Sequence, residues 1–288
     1  MSMTTISNLA GAALRLLLAS MLFAGLAACA KLPISGNADP AMARAALWSE
    51  IDRPAGSAGS PTIVFIHGNG NASSGDWQEV RRQLQSSGLP TLAYDRAGHG
   101  RSERWTGEYS IAGEALDLAA LLRQHGVDGP VILVAHSYGG AVAQIFAASD
   151  DRVAGIVFVD ALVPGSLTEA IAAAELARYS PQFAMVREKA PELAKTVIPI
   201  LQAFPQTSRD LSAVAYPATL PAIVLRAEER YLQDPAGQAE EDAAIARFIG
   251  GGPRRTASTV AGTGHQIMKD DPAAVVAAIL GMARAQRY

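Results

Sequence analysis

The sequence predicts an α/β protein built on a mostly parallel, doubly wound sheet. Short runs of β-branched and apolar residues are each followed by a Gly-rich turn and by about ten to fifteen residues of helical periodicity. The runs are apolar throughout instead of alternating, as a parallel sheet covered by helices on both faces requires. Hydrophobic residues make up 49% of the chain and charged residues 18%, which excludes an intrinsically disordered protein.

Five strands follow from these apolar runs. They are Thr62–Ile66, Thr91–Tyr94, Val131–Val134, Gly155–Val159 and Ala222–Leu225. Helical periodicity after the first three strands predicts helices at Asp76–Ser87, Ile111–His125 and Tyr138–Ala148. A last helix is expected to begin at Asp271, a good N-cap, followed by Pro272, which is favoured in a first turn.

The segment between the fourth and fifth predicted strands, residues 162–220, has helical periodicity but no strand signal. Helices are predicted at Thr168–Tyr179 and over Phe183–Phe204, where Pro191 and Pro199 should break the pattern. A crossover between parallel strands needs only about a dozen residues, so about sixty favour a small helical lid above the carboxyl edge of the sheet. Ordinary crossover helices are the alternative.

Composition and charge limit the classes of partner. The chain has 24 Lys and Arg against 27 Asp and Glu, a formal net charge of −3, and contains no run of five like charges. Nucleic acid is therefore not expected as a partner. The single cysteine, Cys29, excludes a disulfide framework or a Cys-rich metal site within one chain, and the chemistry predicted below requires no metal or organic cofactor.

The amino-terminal residues are typical of an export signal. The apolar run from Leu16 to Ala30 is shorter than the ~20 residues that a membrane-spanning helix needs. Its end, Leu26–Cys29, resembles the lipobox of bacterial lipoproteins, in which the signal is cut before the cysteine and the cysteine carries lipid. We therefore expect a signal peptide at residues 1–28, a tether at 29–42 and a folded domain at 43–288. The protein would be exported and anchored through Cys29 in the bacterial outer membrane or another periplasm-facing membrane; an ordinary export signal is the alternative.

A candidate nucleophile stands where the third predicted strand meets its helix. Ser137 lies in the run Ala135-His-Ser-Tyr-Gly-Gly140, which matches the nucleophile elbow G-x-S-x-G with alanine in place of the first glycine. Small residues two before and two after the serine, here Ala135 and Gly139, let strand and helix approach while a strained turn projects the hydroxyl. A serine N-cap on the helix is the alternative.

Two backbone N–H groups are candidates for binding an oxyanion beside Ser137. In acyl transfer, the residue after the nucleophile, here Tyr138, supplies one, and a loop after an earlier strand supplies the other. The loop His67–Gly70 follows the first predicted strand, so Asn69 is the second candidate. Its glycine spacing does not match G-x-G-x-x-G and no Gly-Lys-Ser/Thr follows, so neither a dinucleotide nor a phosphate loop is expected.

His265 is the candidate general base. It follows Gly262-Thr-Gly264 in a loop before the last helix, where flanking glycines let an imidazole swing over a serine hydroxyl. The other histidines are expected to be structural; they are His67, His99, His125 and His136.

These motifs, in this order, resemble the α/β-hydrolase superfamily. The resemblance extends from about Ala46 to Arg284 and is carried by His67-Gly68, Tyr94–Ser102, His136–Gly140, Gly264-His265 and Asp271-Pro272. It implies an eight-stranded sheet, a helical lid and a triad in the order nucleophile, acid, histidine. Serine at position 137 argues against the haloalkane dehalogenase and epoxide hydrolase branches.

The acid of that triad is ambiguous. Most of the superfamily places it after the strand that follows the lid, in a turn like Gly-x-x-Asp, but this chain has Arg226 where the glycine is expected. Glu229 or Glu228 would need a shifted turn. Asp160, at the end of the fourth predicted strand, occupies a position that some branches use and can reach the imidazole without a rebuilt turn. We favour Asp160, with Glu229 and then Glu228 as alternatives; a purely structural Asp160 also stays open.

The sequence therefore predicts a serine hydrolase of carboxylic esters or related acyl compounds that works through an acyl-enzyme on a small-molecule acyl substrate. Within the enzymes, thioesterase, lactonase, amidase, C–C hydrolase and hydroxynitrile lyase chemistry stay open. Outside them, the alternative is a non-catalytic ligand-binding protein on the same fold.

Overall fold

The computed structural model describes residues 44–232 and 234–286 of the chain. The predicted signal peptide, the tether and Cys29 lie outside the described residues. Within the described part, no helix combines the length and the apolar character needed to cross a membrane.

The described residues form one seven-stranded sheet. The strands are β1 (Ser49–Asp52), β2 (Thr62–Ile66), β3 (Thr91–Tyr94), β4 (Val131–His136), β5 (Val153–Val159), β6 (Ala222–Ala227) and β7 (Arg255–Val260). Their order is β1-β3-β2-β4-β5-β6-β7. Only the β1–β3 pairing is antiparallel, so the prediction of a mostly parallel α/β sheet is confirmed.

The expectation of eight strands is wrong for the described part of the chain. The residues before β1 use their backbone groups on the loop after β3 instead of adding another strand. The carbonyl of Ala46 accepts from Glu103 N–H, and the carbonyl of Arg44 accepts from Thr106 N–H. Because those groups are already paired with a loop, they do not extend the sheet beyond β1.

Helices cover both faces of the sheet. The described α-helices are α1 (Gln78–Leu84), α2 (Ile111–Gln124), α3 (Gly139–Ala147), α4 (Glu169–Tyr179), α5 (Phe183–Lys189), α6 (Pro191–Gln202), α7 (Phe204–Ala213), α8 (Pro235–Gly250), α9 (Ile267–Asp270) and α10 (Pro272–Ala285). Residues of α2, α3 and α8 share one buried apolar cluster with the sheet, and residues of α1 and α10 share a second. This two-sided burial explains why the central strands are apolar without alternation.

Residues 162–220 contain four of these helices, α4 to α7, between β5 and β6. The predicted helix over Phe183–Phe204 is interrupted at Ala190, and Pro191 begins α6, where a missing N–H costs nothing. Pro199 does not end the helix, contrary to expectation: α6 continues through it to Gln202, with Ile198 and Ile200 buried on either side. Burial of these neighbours offsets the lost hydrogen bond.

A tight loop after β3 shapes the carboxyl edge. The buried Asp95 carboxylate accepts from the N–H groups of Ser74 and Arg101, while Ser102 Oγ donates to the Asp95 carbonyl and accepts from Trp48 N–H. Gly100 has a φ of 53°, and a Cβ there would collide with the Asp95 carboxylate. The run Asp95–Ser102 therefore forms a tight loop whose two ends are hydrogen-bonded to each other.

A buried ion pair ties this loop to its surroundings. The fully buried Arg96 guanidinium donates to both carboxylate oxygens of Glu114 at 2.6 and 2.5 Å, and to the carbonyl of Gly68 at 2.8 Å. Although burial alone would raise the pKa of Glu114, the Arg96 charge lowers it below the ordinary value. Tyr109 donates to the same carboxylate, so Glu114 stays ionised and fully partnered.

Three histidines are buried under the carboxyl edge. His67 accepts from Arg96 N–H at Nε2 and therefore carries its proton on Nδ1, which donates to the Gly68 carbonyl. Burial, with nearby positive groups, lowers the pKa of His99 and of His136 to about 4 and that of His67 well below its ordinary value. All three are neutral near pH 7, as the structural role expected for them requires.

These buried histidines should make the fold acid-labile. Their folded-state pKa lies below the unfolded value of 6.5, so the unfolded chain binds more protons and stability falls as the pH drops from 6.5 toward 4. As the pH falls from 7 to 5.5, protonation of His99 and of His136 in the unfolded chain should each lower the free energy of unfolding by about 1 kcal/mol. Urea denaturation across this range measures the loss. The variant His99→Asn should show a shallower pH dependence; an unchanged slope in that variant would contradict the assignment.

Candidate active site

Ser137 stands in a strained turn at the end of β4. Its φ is 52°, a left-handed value that a non-glycine residue adopts at a cost of about 1 to 3 kcal/mol. The turn is possible because Gly139 lies against the backbone of β2: a Cβ there would be 2.7 Å from the Ile66 carbonyl oxygen. The N-cap of α3 is Tyr138, without a side-chain hydrogen bond. The Ser137 hydroxyl is therefore not a helix cap.

The loop after β2 lies directly against this turn. Gly68 packs closely against the nucleophile, since a Cβ on Gly68 would be 3.0 Å from the Ser137 Cβ. Asn69, the next residue, therefore lies near Ser137. Asn69 and Tyr138 lie outside the strands and helices, and among the described residues neither N–H donates to a backbone carbonyl. Asn69 Oδ1 lies 3.2 Å from His99 Nε2, and this hydrogen bond helps to hold the loop in place. The two N–H groups predicted to bind an oxyanion thus lie on two adjacent loops.

His265 is held by the side chains of Asp160, which follows β5, and His136, the last residue of β4. Its Nδ1 lies 2.6 Å from Asp160 Oδ2, and its carbonyl accepts from His136 Nε2 at 2.8 Å. Gly264 N–H also donates to Asp270, which fastens the loop to α9. In the described part of the chain, the hydrogen bonds of His265 do not include Ser137 Oγ. In enzymes generally, the hydrogen bond between a nucleophile and its base is often long until substrate is present.

Asp160 is placed for this contact by a second strained turn. Its φ is 42°, and among the described residues only Ser137 and Asp160 are non-glycine residues with positive φ. The Asp160 N–H donates to the Leu225 carbonyl, and its Oδ1 accepts from Ala227 N–H at 2.9 Å. One carboxylate oxygen is thus anchored on β6, which leaves the other for the imidazole.

The two alternative acids take other partners. Glu228 accepts from Gly262 N–H at 2.7 Å and so supports the loop that carries His265. Glu229 donates its N–H to the Thr263 carbonyl, while its side chain forms no hydrogen bond to His265 within the described residues. Arg226, which replaces the expected glycine, pairs with Asp242 at 2.9 Å. Of the three candidates, the structure brings Asp160 to the imidazole.

Sequence reasoning missed the aromatic environment of His265. The imidazole centroid lies 4.6 Å from the ring of His136 and 4.6 Å from the ring of Tyr231. Tyr231 follows β6 and gave no sequence signal of its own, since a single tyrosine in a loop is usually a surface residue. Its position immediately after the irregular Arg226–Arg230 stretch was the only available hint.

The site is also linked to the inserted helices. The Tyr138 hydroxyl lies 2.8 Å from the Tyr109 hydroxyl and 3.2 Å from Thr207 Oγ1 of α7. Its ring stacks on Phe204 with centroids 5.4 Å apart.

No cluster of three His, Cys, Asp or Glu side chains suited to a metal ion occurs in residues 44–232 and 234–286.

Comparison with known proteins agrees with this architecture. A sequence model of the alpha/beta hydrolase family matches residues 63–278. A stretch of 72 residues is 49% identical to the lipase LipV of Mycobacterium tuberculosis and covers 25% of this chain and 27% of that protein. The matches to curated relatives thus span about a quarter of their length or less.

Solved structures extend the similarity to nearly the whole described domain. A thermophilic esterase from Thermogutta terrifontis is 21% identical with a TM-score of 0.55, over 83% of this chain and 93% of that one. NosK from Streptomyces actuosus is 24% identical with a TM-score of 0.61, over 80% of this chain and all (100%) of that one. At this identity the likeness concerns the fold. The family match, which spans most of the chain, shows that the protein belongs to the α/β-hydrolase family.

Proposed function

We propose that the protein is a serine hydrolase that cleaves carboxylic esters or related acyl compounds through an acyl-enzyme. The observation that carries the proposal is the bond between His265 Nδ1 and Asp160 Oδ2, with the His265 carbonyl bonded to the side chain of His136, the residue before the strained turn of Ser137. A carboxylate on Nδ1 keeps the proton there, so Nε2 is free to accept one. The similarity to a lipase and to an esterase supports the reaction class.

In the first half-reaction, Ser137 Oγ attacks the acyl carbon while His265 Nε2 takes the hydroxyl proton. The Asn69 and Tyr138 N–H groups donate to the oxyanion of the tetrahedral intermediate. Asp160 stabilises the imidazolium without taking its proton. When the intermediate collapses, the C–O bond to the alcohol breaks and His265 returns the proton to the leaving oxygen.

In the second half-reaction, water replaces the alcohol. His265 removes a proton from the water, which attacks the acyl carbon of the ester on Ser137 and forms a second oxyanion at the same N–H groups. Collapse of this intermediate releases the carboxylic acid, and the proton held on His265 returns to Ser137 Oγ. The helices α4 to α7 form a lid over this chemistry in the proposal, since α7 contacts Tyr138 through Thr207.

The nucleophile and its base should act as one unit. Ser137→Ala and His265→Ala are each expected to lower kcat by several orders of magnitude, and the double variant should lose little more than either. Hydrolysis of p-nitrophenyl esters of rising acyl length measures kcat and shows the preferred acyl group. An organophosphonate probe should label Ser137 in the wild type and leave Ser137→Ala unlabelled. Failure of labelling together with absent hydrolysis would favour a ligand-binding protein.

Removing the acid should separate the three candidate carboxylates. Asp160→Asn is expected to reduce kcat by up to ~10⁴-fold, because an amide favours the wrong imidazole tautomer. Glu229→Gln and Glu228→Gln serve as matched controls and should lose little activity, since neither side chain bonds His265. Circular dichroism checks that Asp160→Asn stays folded. A large loss in Glu229→Gln with full activity in Asp160→Asn would reverse the assignment.

We also propose that Cys29 carries lipid and anchors the enzyme in a bacterial membrane, on the strength of the Leu26–Cys29 run. Wild-type protein expressed with its full amino terminus should then partition into detergent, whereas Cys29→Ser should not. Mass spectrometry of the mature amino terminus identifies the modification. Esterase activity should be equal in the two proteins, because no thiol takes part in the reaction. An unmodified mature protein that begins elsewhere would refute the anchor.

A further inference from the structure

The ring of Tyr231 contacts the imidazole of His265 although Tyr231 is one of the most exposed large hydrophobic residues of the described part of the chain. The two ring centroids lie 4.6 Å apart, with the planes tilted by 33°. Met185 and Tyr231 are the most exposed large hydrophobic residues in the described part of the chain, at 54% and 45%. An exposed aromatic ring that stays on a histidine needs something else to hold it.

The Tyr231 hydroxyl supplies that constraint. It lies 2.5 Å from the hydroxyl of Tyr179, the last residue of α4. Tyr179 in turn packs against the small apolar cluster of Phe183, Ala194 and Ile198 within the inserted helices. One end of Tyr231 is thus fixed by a helix of the insertion, while its ring lies on the loop that follows β7.

The contacts that fix the loop of His265 do not hold its imidazole ring. Asp270, Glu228 and His136 all bond backbone groups of residues 262–265. The hydrogen bond from Nδ1 to Asp160 fixes the position of one ring atom but leaves the ring free to tilt about that bond. The ring of His136, also centred 4.6 Å away, is buried. Tyr231 limits the tilt from the exposed side.

We propose that Tyr231 is a positioning residue for His265, and that the Tyr179–Tyr231 hydroxyl pair couples the inserted helix α4 to the orientation of the base. The proposal rests on the hydrolase function proposed above. A tilted imidazole would carry Nε2 away from Ser137 Oγ, and misplacement of a catalytic group by about 1 Å can cost ~100-fold in rate. The coupling predicts that acylation becomes slower when the hydrogen bond between Tyr179 of α4 and Tyr231 is lost.

Loss of the ring should lower kcat in a way that a phenyl ring restores. Tyr231→Ala is expected to reduce kcat about tenfold with little change in KM, because a partly misoriented base slows the chemical steps more than binding. Tyr231→Phe keeps the ring and should recover most of this loss. Met185→Ala, a similarly exposed apolar residue on α5, is the matched control and should behave as wild type. Thermal melting verifies that each variant is folded.

The hydroxyl pair has a separate signature. Tyr231→Phe and Tyr179→Phe break the same hydrogen bond, so they should cause equal, small losses of kcat, and the double variant should lose no more than either. Additive losses would show that the two hydroxyls act independently and would overturn the coupling.

Two substrates distinguish positioning from direct contact. p-Nitrophenyl esters of two acyl lengths should lose the same factor of kcat/KM in Tyr231→Ala, since the leaving group and the base are common to both. An unequal loss, or a rise in KM alone, would make Tyr231 a substrate contact and overturn the proposal. A wild-type kcat in Tyr231→Ala would also overturn it. The organophosphonate probe should still label Ser137 in Tyr231→Ala, only more slowly. If the wild type is not labelled, the hydrolase proposal itself fails.

Discussion

The Asp160 carboxylate joins three separate parts of the chain at the carboxyl edge of the sheet. It follows β5, its Oδ1 accepts from Ala227 N–H at the end of β6, and its Oδ2 meets His265 from the loop after β7. The register of the parallel strands makes this possible, because Val159 pairs with both His136 and Leu225. Ser137 and Asp160 therefore leave neighbouring strands side by side, each through a strained turn with positive φ.

A second, buried layer supports these turns from below. Arg96, paired with Glu114, donates to the Gly68 carbonyl. The Tyr109 hydroxyl links the Glu114 carboxylate to the Tyr138 hydroxyl. Buried charges are costly unless each finds its partners, and here the pair is bidentate with further hydrogen bonds at both ends. The loop of Asn69 and the turn of Ser137 consequently rest on one rigid polar network that also reaches α7.

The elements that the sequence predicted well are those whose pattern is local. The strands β2 to β6 were recognised as continuous apolar runs, and all five are central in the sheet. The edge strands β1 and β7 were not predicted, because their sequences are polar and their residues largely exposed. The helix α8 was also missed, and Pro199 was expected to end a helix that burial on both sides of it keeps intact.

By itself the sequence determined the fold class, the order of the motifs and the candidates Ser137, His265, Asn69 and Tyr138, since each depends on a short run of residues. It left open which carboxylate reaches His265, and only the tertiary structure decided that contact. The pair is separated by 105 positions along the chain, and its geometry depends on strand register and on the turn after β5. The contact of Tyr231 with His265 was likewise beyond the sequence, because it needs α4 and two different loops to meet in space.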